Sequence, residues 1–101
     1  MNAIKKYPFK YELIDEEKKY DLIASLIFNN KVVGWFQGKS EFGPRALGNR
    51  SILANPLNPK MKNILDLYVK QRDRYRPYAP VVLEEYVKKY FDIASISPVM
   101  M

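Results

Sequence analysis

The sequence contains no cysteine and no histidine. The first absence excludes a disulfide framework and thiolate chemistry. The second removes the commonest metal ligand and the usual general base near neutral pH. No apolar run approaches the ~20 residues that a membrane-spanning helix requires. Residues 1–10 mix Lys, Tyr and Pro and lack the apolar centre of a signal peptide. There is no Walker A loop and no G-x-G-x-x-G run, and no pair of carboxylates suggests a hydrolase. Any chemistry is left to Lys, Arg, Asp, Glu, Ser, Asn, Tyr and backbone groups, in a protein expected to be soluble and cytoplasmic.

What is present is a globular composition, with 48 % hydrophobic and 28 % charged residues in 101. Such a length supports one hydrophobic core at most, so residues 1–101 are expected to form a single domain. The net charge is +6, and it is local. Between Lys39 and Arg76 stand nine basic residues against three acidic ones, a surplus equal to that of the whole chain. Solubility does not require such clustering, whereas an anionic ligand does.

Asp15 is placed to cap a helix that opens with Glu16 and Glu17, and Tyr20, Ile23, Ala24, Ile27 and Phe28 form its apolar stripe. Asn29-Asn30 ends it. Lys31 to Gln37 reads as a buried strand, Gly38 to Asn49 as a structured loop, and Ser51 to Ala54 as a second short strand. Asn58-Pro59 signals a helix start, with Met61, Ile64, Leu65 and Tyr68 inward and an end near Lys70. A charged loop follows from Gln71 to Pro77. Tyr78 to Leu83 reads as a strand and Glu84 to Phe91 as a short helix. This order predicts a mixed α/β (α+β) layer structure. The apolar ending Ser97-Pro98-Val99-Met100-Met101 and a small sheet with open edges point to an incomplete domain, one able to pair with a second copy.

Two stretches concentrate residues suited to anions. In the first, Arg45, Asn49, Arg50 and Ser51 stand beside Gly43 and Gly48, with Lys39 close by. Glycines let a backbone approach an anion, Arg offers a planar fork for phosphate or carboxylate, and Asn and Ser add neutral donors. A tight surface loop with solvated arginines fits the same residues. Glu41 is the one acid of this loop, placed to hold Arg45 or Arg50 or to meet a metal through phosphate. In the second stretch, Lys70, Arg72 and Arg76 share parity, so an extended backbone would turn all three to one side. A solvated loop in which Asp73 pairs with a neighbour is the alternative.

The string Val32-Val-Gly-Trp-Phe-Gln-Gly-Lys-Ser-Glu-Phe-Gly-Pro-Arg-Ala-Leu-Gly-Asn-Arg-Ser-Ile-Leu-Ala-Asn-Pro56 resembles the carbamoyltransferase family that includes nodulation-factor and antibiotic O-carbamoyltransferases. Met61-Lys62, Val69-Lys70, Arg72-Asp-Arg-Tyr-Arg-Pro-Tyr-Ala-Pro80, Tyr90-Phe91 and Ser97-Pro98 extend the resemblance from about Asp21 to the end. It implies a C-terminal domain similar to YrdC, a twisted open sheet with flanking helices. That domain takes carbamoyl phosphate and ATP, with Mg2+, to carbamoyl-adenylate and pyrophosphate. An N-terminal actin-like domain with its own metal site, absent from this chain, passes the carbamoyl group to a hydroxyl acceptor.

By the same resemblance, Arg45 and Arg50 grip carbamoyl phosphate, and Asn49 and Ser51 bond its amide or a phosphate oxygen. Lys70-Gln71-Arg72 resembles the Lys-x-Arg pair of YrdC-like domains and, with Arg76, holds the triphosphate. Lys39 adds a further substrate contact, and no residue of this chain is implied as a metal ligand. Lys39 and Ser40 stand where relatives commonly carry Arg and Met. Leu65-Asp66 lies where they tend to show Leu-Asn. Two other readings stay open: a non-catalytic nucleotide- or anion-binding module, and an RNA-binding module. The membrane has no part in any of them.

Overall fold

The computed structural model of the chain describes residues 7–93. Helix α1 (Glu16–Phe28) begins after Asp15, whose backbone is extended at φ −61° and ψ 139°. The carbonyl of Asp15, not its carboxylate, accepts the first N–H bonds, from Lys18 and Lys19 at 3.0 Å. The carboxylate lies 3.7 Å from Lys18 Nζ instead, which corrects the expected side-chain cap. At the other end Asn30 adopts a left-handed φ of 61°. The N–H groups of Asn30 and Lys31 return to Ile27 and Leu26 carbonyls at 2.9 Å, the nested bonds of a Schellman cap.

Strands β1 (Val33–Phe36) and β2 (Arg50–Leu53) pair antiparallel, with Val33 opposite Leu53 and Phe36 opposite Arg50. Trp35 meets Tyr20 of α1 at 6.3 Å between ring centroids. Phe36, on the alternate face, is 75 % exposed. The buried strand expected at Lys31 to Gln37 is therefore a half-covered ribbon, because α1 lies against one face only.

The turn at Asn58-Pro59 leads into the next helix, whose cap residue is Lys60 rather than the expected Asn58. Asn58 Oδ1 accepts Lys60 N–H at 2.9 Å and its carbonyl accepts Met61 N–H at 3.0 Å. Helix α2 (Met61–Ile64) widens into a π-helical turn, Leu65–Lys70. Gln71 closes it in left-handed backbone, φ 48° and ψ 54°, and the Asp66 carbonyl accepts the N–H groups of both Gln71 and Arg72. Lys70 is thus helical. The extended geometry that would align Lys70 with Arg72 is not present.

The strand expected at Tyr78 to Leu83 does not form; that segment has no regular structure. Pro80 removes an N–H donor within it and Pro77 another just before it, and a strand without a partner leaves its remaining groups unpaired. A 3₁₀ turn (Glu84–Tyr86) then leads into α3 (Val87–Tyr90). The chain is an α+β fold of three α-helices and a two-stranded antiparallel sheet among the described residues. No helix there is long and apolar enough to cross a membrane. The apolar ending at residues 97–101 lies outside the described residues.

The centre is small. Met61 and Leu65 are its buried apolar side chains, and Asn55 and Asp66 its buried polar ones. On α1, Ile23, Leu26 and Ile27 are half-buried, whereas Tyr20, Ala24 and Phe28 of the expected stripe face solvent. Asparagines join the pieces. Asn55 Nδ2 donates to the Phe28 carbonyl (3.2 Å) and to Asn30 Oδ1 (3.3 Å). Its Oδ1 accepts Leu57 N–H at 2.9 Å, and Asn58 Nδ2 reaches Asn30 Oδ1 at 3.1 Å. This latch fixes the end of α1 against the start of α2, with the first basic loop hung from the sheet and the second after α2.

Candidate functional site: two basic loops

The first loop leaves β1 and returns at β2. Gly48 has φ 109°, a backbone region closed to side chains without strain, and reverses the chain just before β2. Glu41 Oε1 accepts the N–H groups of Leu47 and Asn49, both at 2.8 Å. Glu41 therefore staples the loop's own backbone rather than holding Arg45 or Arg50.

Arg50 donates to the carbonyls of Gln37, Asn49 (2.9 Å) and Gly38 (3.3 Å). Its guanidinium carbon lies 3.4 Å from the Phe36 ring centroid. Asn49 Nδ2 donates to the Lys39 carbonyl at 3.0 Å, and Ser51 Oγ accepts Gly48 N–H at 3.0 Å. Gln37 Nε2 donates to the Gly48 carbonyl at 3.1 Å. Asn49, Arg50 and Ser51 thus lie together in the frame of the loop, their polar groups turned to backbone. Lys39 and Arg45 are exposed, and no hydrogen bond or ion pair among the described residues engages their side chains.

The second loop is organised by an acid. Asp66 has no exposed side-chain surface. Lys62 Nζ donates to its Oδ2 at 2.8 Å, Tyr78 Oη donates to its Oδ1 at 2.8 Å, and Arg72 Nε lies 3.5 Å from Oδ1. Lys62 also donates to the Arg74 carbonyl. The Arg72 guanidinium sits 4.5 Å from the Tyr78 ring centroid. Hydrogen bonds from Lys62 and then Tyr78 hold the Asp66 carboxyl below its ordinary value, outweighing burial, which acts the other way. Burial, reinforced by the bond to Asp66, pushes the Tyr78 phenol up. Arg72 Nε is buried without a well-aligned acceptor. Lys70 and Arg76 are exposed.

The predicted residues therefore divide between two places. Asn49, Arg50 and Ser51 build one frame, Arg72 belongs to the Asp66 cluster, and Lys39, Arg45, Lys70 and Arg76 project into solvent. Among the described residues no hydrogen bond or ion pair joins the two loops. Two shallow concavities, lined by residues 88–93 and by Glu84, Glu85, Val87 and Lys88, include none of these positions. Sequence reasoning passed over Lys62, Asp66 and Tyr78. The legible signal was the Lys62–Asp66 spacing of four on a helix, which places opposite charges side by side.

The chain is thus a basic α+β segment whose cations are carried on a glycine-turned loop and on the arm after α2. It belongs to the carbamoyltransferase family: residues 24–101 match the family described as "Carbamoyltransferase C-terminus". Over 83 residues, 79 % of this chain, it is 46 % identical to nodulation protein NolO of Bradyrhizobium diazoefficiens. Over 70 residues, 69 % of this chain, it is 53 % identical to nodulation protein NolNO of Sinorhizobium fredii. Nodulation protein U of the same species is 42 % identical over 79 residues, 78 % of this chain. The chain spans 15 %, 10 % and 14 % of the lengths of these three relatives.

Proposed function

We propose that this segment supplies part of the site at which an O-carbamoyltransferase binds carbamoyl phosphate and ATP and forms carbamoyl-adenylate. Water releases phosphate from carbamoyl phosphate and leaves carbamate. The carbamate oxygen then attacks the α-phosphorus of ATP, and pyrophosphate departs. No step needs a side-chain general base of this chain, which suits a sequence without histidine. Positioning and neutralisation of phosphate charge are what lysine and arginine provide.

The observation that carries this reading is a division of labour within the first loop. Arg50, Asn49, Ser51 and Glu41 are spent on backbone groups, so the loop is held by its own side chains. Lys39 and Arg45 remain as exposed cations on that frame. In this role Arg45 and Lys39 meet carbamoyl phosphate, and Arg72, Lys70 and Arg76 meet the triphosphate. Arg50, Asn49 and Ser51 act on the ligand through the shape of the loop.

Mg2+ would arrive on the ATP phosphates, which supply most of its oxygens and need at most one or two carboxylates from the protein. Among the described residues no group of three acidic side chains gathers, and Glu41 Oε1 already accepts two N–H groups. The acceptor hydroxyl and the actin-like partner domain belong to the rest of such an enzyme.

Carbamoyl-phosphate-dependent ATP–pyrophosphate exchange tests the reading in a full-length enzyme carrying this segment. Arg45→Ala and Arg72→Ala are each expected to lower exchange by about a hundredfold, the effect of removing one charge-stabilising donor. Exchange at the parent rate in both variants refutes the assignment. Titrating the 101-residue chain with a short RNA separates the alternative, since RNA affinity falls steeply with salt.

A further inference from the structure

Asp66 is a carboxylate with no exposed side-chain surface, little else among the described residues is buried, and the activity proposed above does not use it. Both of its oxygens are engaged by cations. Lys62 Nζ is 2.8 Å from Oδ2 and Arg72 Nε is 3.5 Å from Oδ1. Those cations are not themselves buried: the Lys62 side chain is 45 % exposed and that of Arg72 is 27 %. The anion is inside and its two partners reach outward.

Several contacts fix this arrangement. Tyr78 donates to Oδ1 at 2.8 Å and lays its ring against the Arg72 guanidinium, with Lys62 at 6.0 Å from the ring centroid. The backbone contributes as well, because the Asp66 carbonyl accepts the N–H groups of Gln71 and Arg72. Lys62 is held a second time, by the Arg74 carbonyl. Among the described residues nothing accepts from the terminal nitrogens of Arg72. One buried negative charge offsets two positive ones and leaves a surplus of one on the solvent side. Two cations brought this close repel each other, and an outer anion relieves that repulsion.

We propose that Asp66 is a positioning residue that presents Lys62 and Arg72 as a paired cation to a phosphate group, so that Lys62 is a phosphate contact of this segment. The inference rests on the reading of the basic loops as a phosphate site, and it names the residues that give the second loop its geometry. Lys70 lies on the preceding helical turn, with no described contact to this pair, and contributes less than Lys62.

The test measures binding of ATP and of pyrophosphate to the 101-residue chain by calorimetric titration, with thermal unfolding of each variant alongside. Lys62→Met keeps the aliphatic stem and removes the ammonium; Lys62→Arg keeps the charge. Asp66→Asn keeps the shape and an acceptor for Tyr78 but removes the charge that holds the pair. Expected are affinities about tenfold weaker in Lys62→Met and Asp66→Asn, matching the loss of one charged hydrogen bond, and recovery in Lys62→Arg. Lys62→Met also takes a hydrogen bond from the buried Asp66 carboxylate, so its unfolding temperature is expected to fall, and affinities are compared at a temperature where every variant is fully folded. Parent-like affinity in Lys62→Met and Asp66→Asn, with loss in Arg72→Ala, overturns the inference and leaves the phosphate site standing. A lowered unfolding temperature with unchanged affinity makes Asp66 structural alone and also overturns it. Absence of ATP and pyrophosphate binding by the parent chain overturns the phosphate site and this inference together.

Discussion

A buried carboxylate that accepts from a lysine and a phenol titrates below where an exposed one does. Because the Asp66 carboxyl is held below its ordinary value of 3.8, its contribution to stability is present above that value. It is lost as pH falls through the folded-state value, since the unfolded chain then binds the extra proton. The Tyr78 phenol, raised above 10.0, acts in the opposite sense: its contribution is lost as pH rises beyond that value. Urea unfolding should therefore show this cluster contributing evenly from about pH 5 to 9 and weakening outside it, with the acid limb absent in Asp66→Asn. Asn55, 8 % exposed, uses both ends of its carboxamide, and Asn55→Ala should cost about 2 kcal/mol by the same measurement. The glycines divide by backbone. Gly34 has open space where a Cβ would stand and no positive φ, so Gly34→Thr should stabilise β1 by about 0.5 kcal/mol. Gly48 has equal space but φ 109°, so Gly48→Ala should destabilise by about 1 kcal/mol. At this scale the sequence is legible where one residue type has one use, as with Asn58 before Pro59. It is opaque where partners are distant, since nothing local marks Asn55 as the acceptor and donor that joins residues 28, 30 and 57.

Elements were legible to the extent that their signals are local. Helix α1 starts and stops where its acids and its Asn29-Asn30 pair indicate, and the π-helical turn ends at Lys70. The segment from Tyr78 to Leu83 failed as a strand because alternation alone does not supply a neighbour to bond with, and Pro80 gives away a donor. Within the site, the Gly-turned loop was legible as a unit, but its internal economy was not. Arg50 and Glu41 look like ligand groups by residue type, and the structure gives them to carbonyls and N–H groups. That assignment makes a prediction for the loop as an element. Glu41→Ala should remove exchange protection at the Leu47 and Asn49 amides together, while Glu41→Gln, which keeps an acceptor oxygen, should retain most of it. Amide exchange by NMR reads both, and independent behaviour of the two amides would argue against a shared staple.

Taken whole, the chain keeps a large share of its surface in water. Its accessible area is 9545 Å². A compact folded protein of this mass would expose roughly 5,900 Å². Its radius of gyration is 15.9 Å, against about 13 Å for a compact chain of this length. Phe36, Phe42, Leu57 and Val81 are each at least 75 % exposed. Since the denaturant slope follows the area uncovered on unfolding, the urea m-value should fall below about 1 kcal/mol/M, the lower end for small domains. It should rise when the segment is joined to the remainder of a carbamoyltransferase. The Asp66 cluster also says something about time. Its side-chain partners lie four, six and twelve residues away, whereas the asparagine latch spans 25 to 28. Short loops close first. On dilution from denaturant the arm that carries Lys62 and Arg72 should assemble ahead of the latch that seats it, so the cations are in place before the rest of the molecule has settled around them.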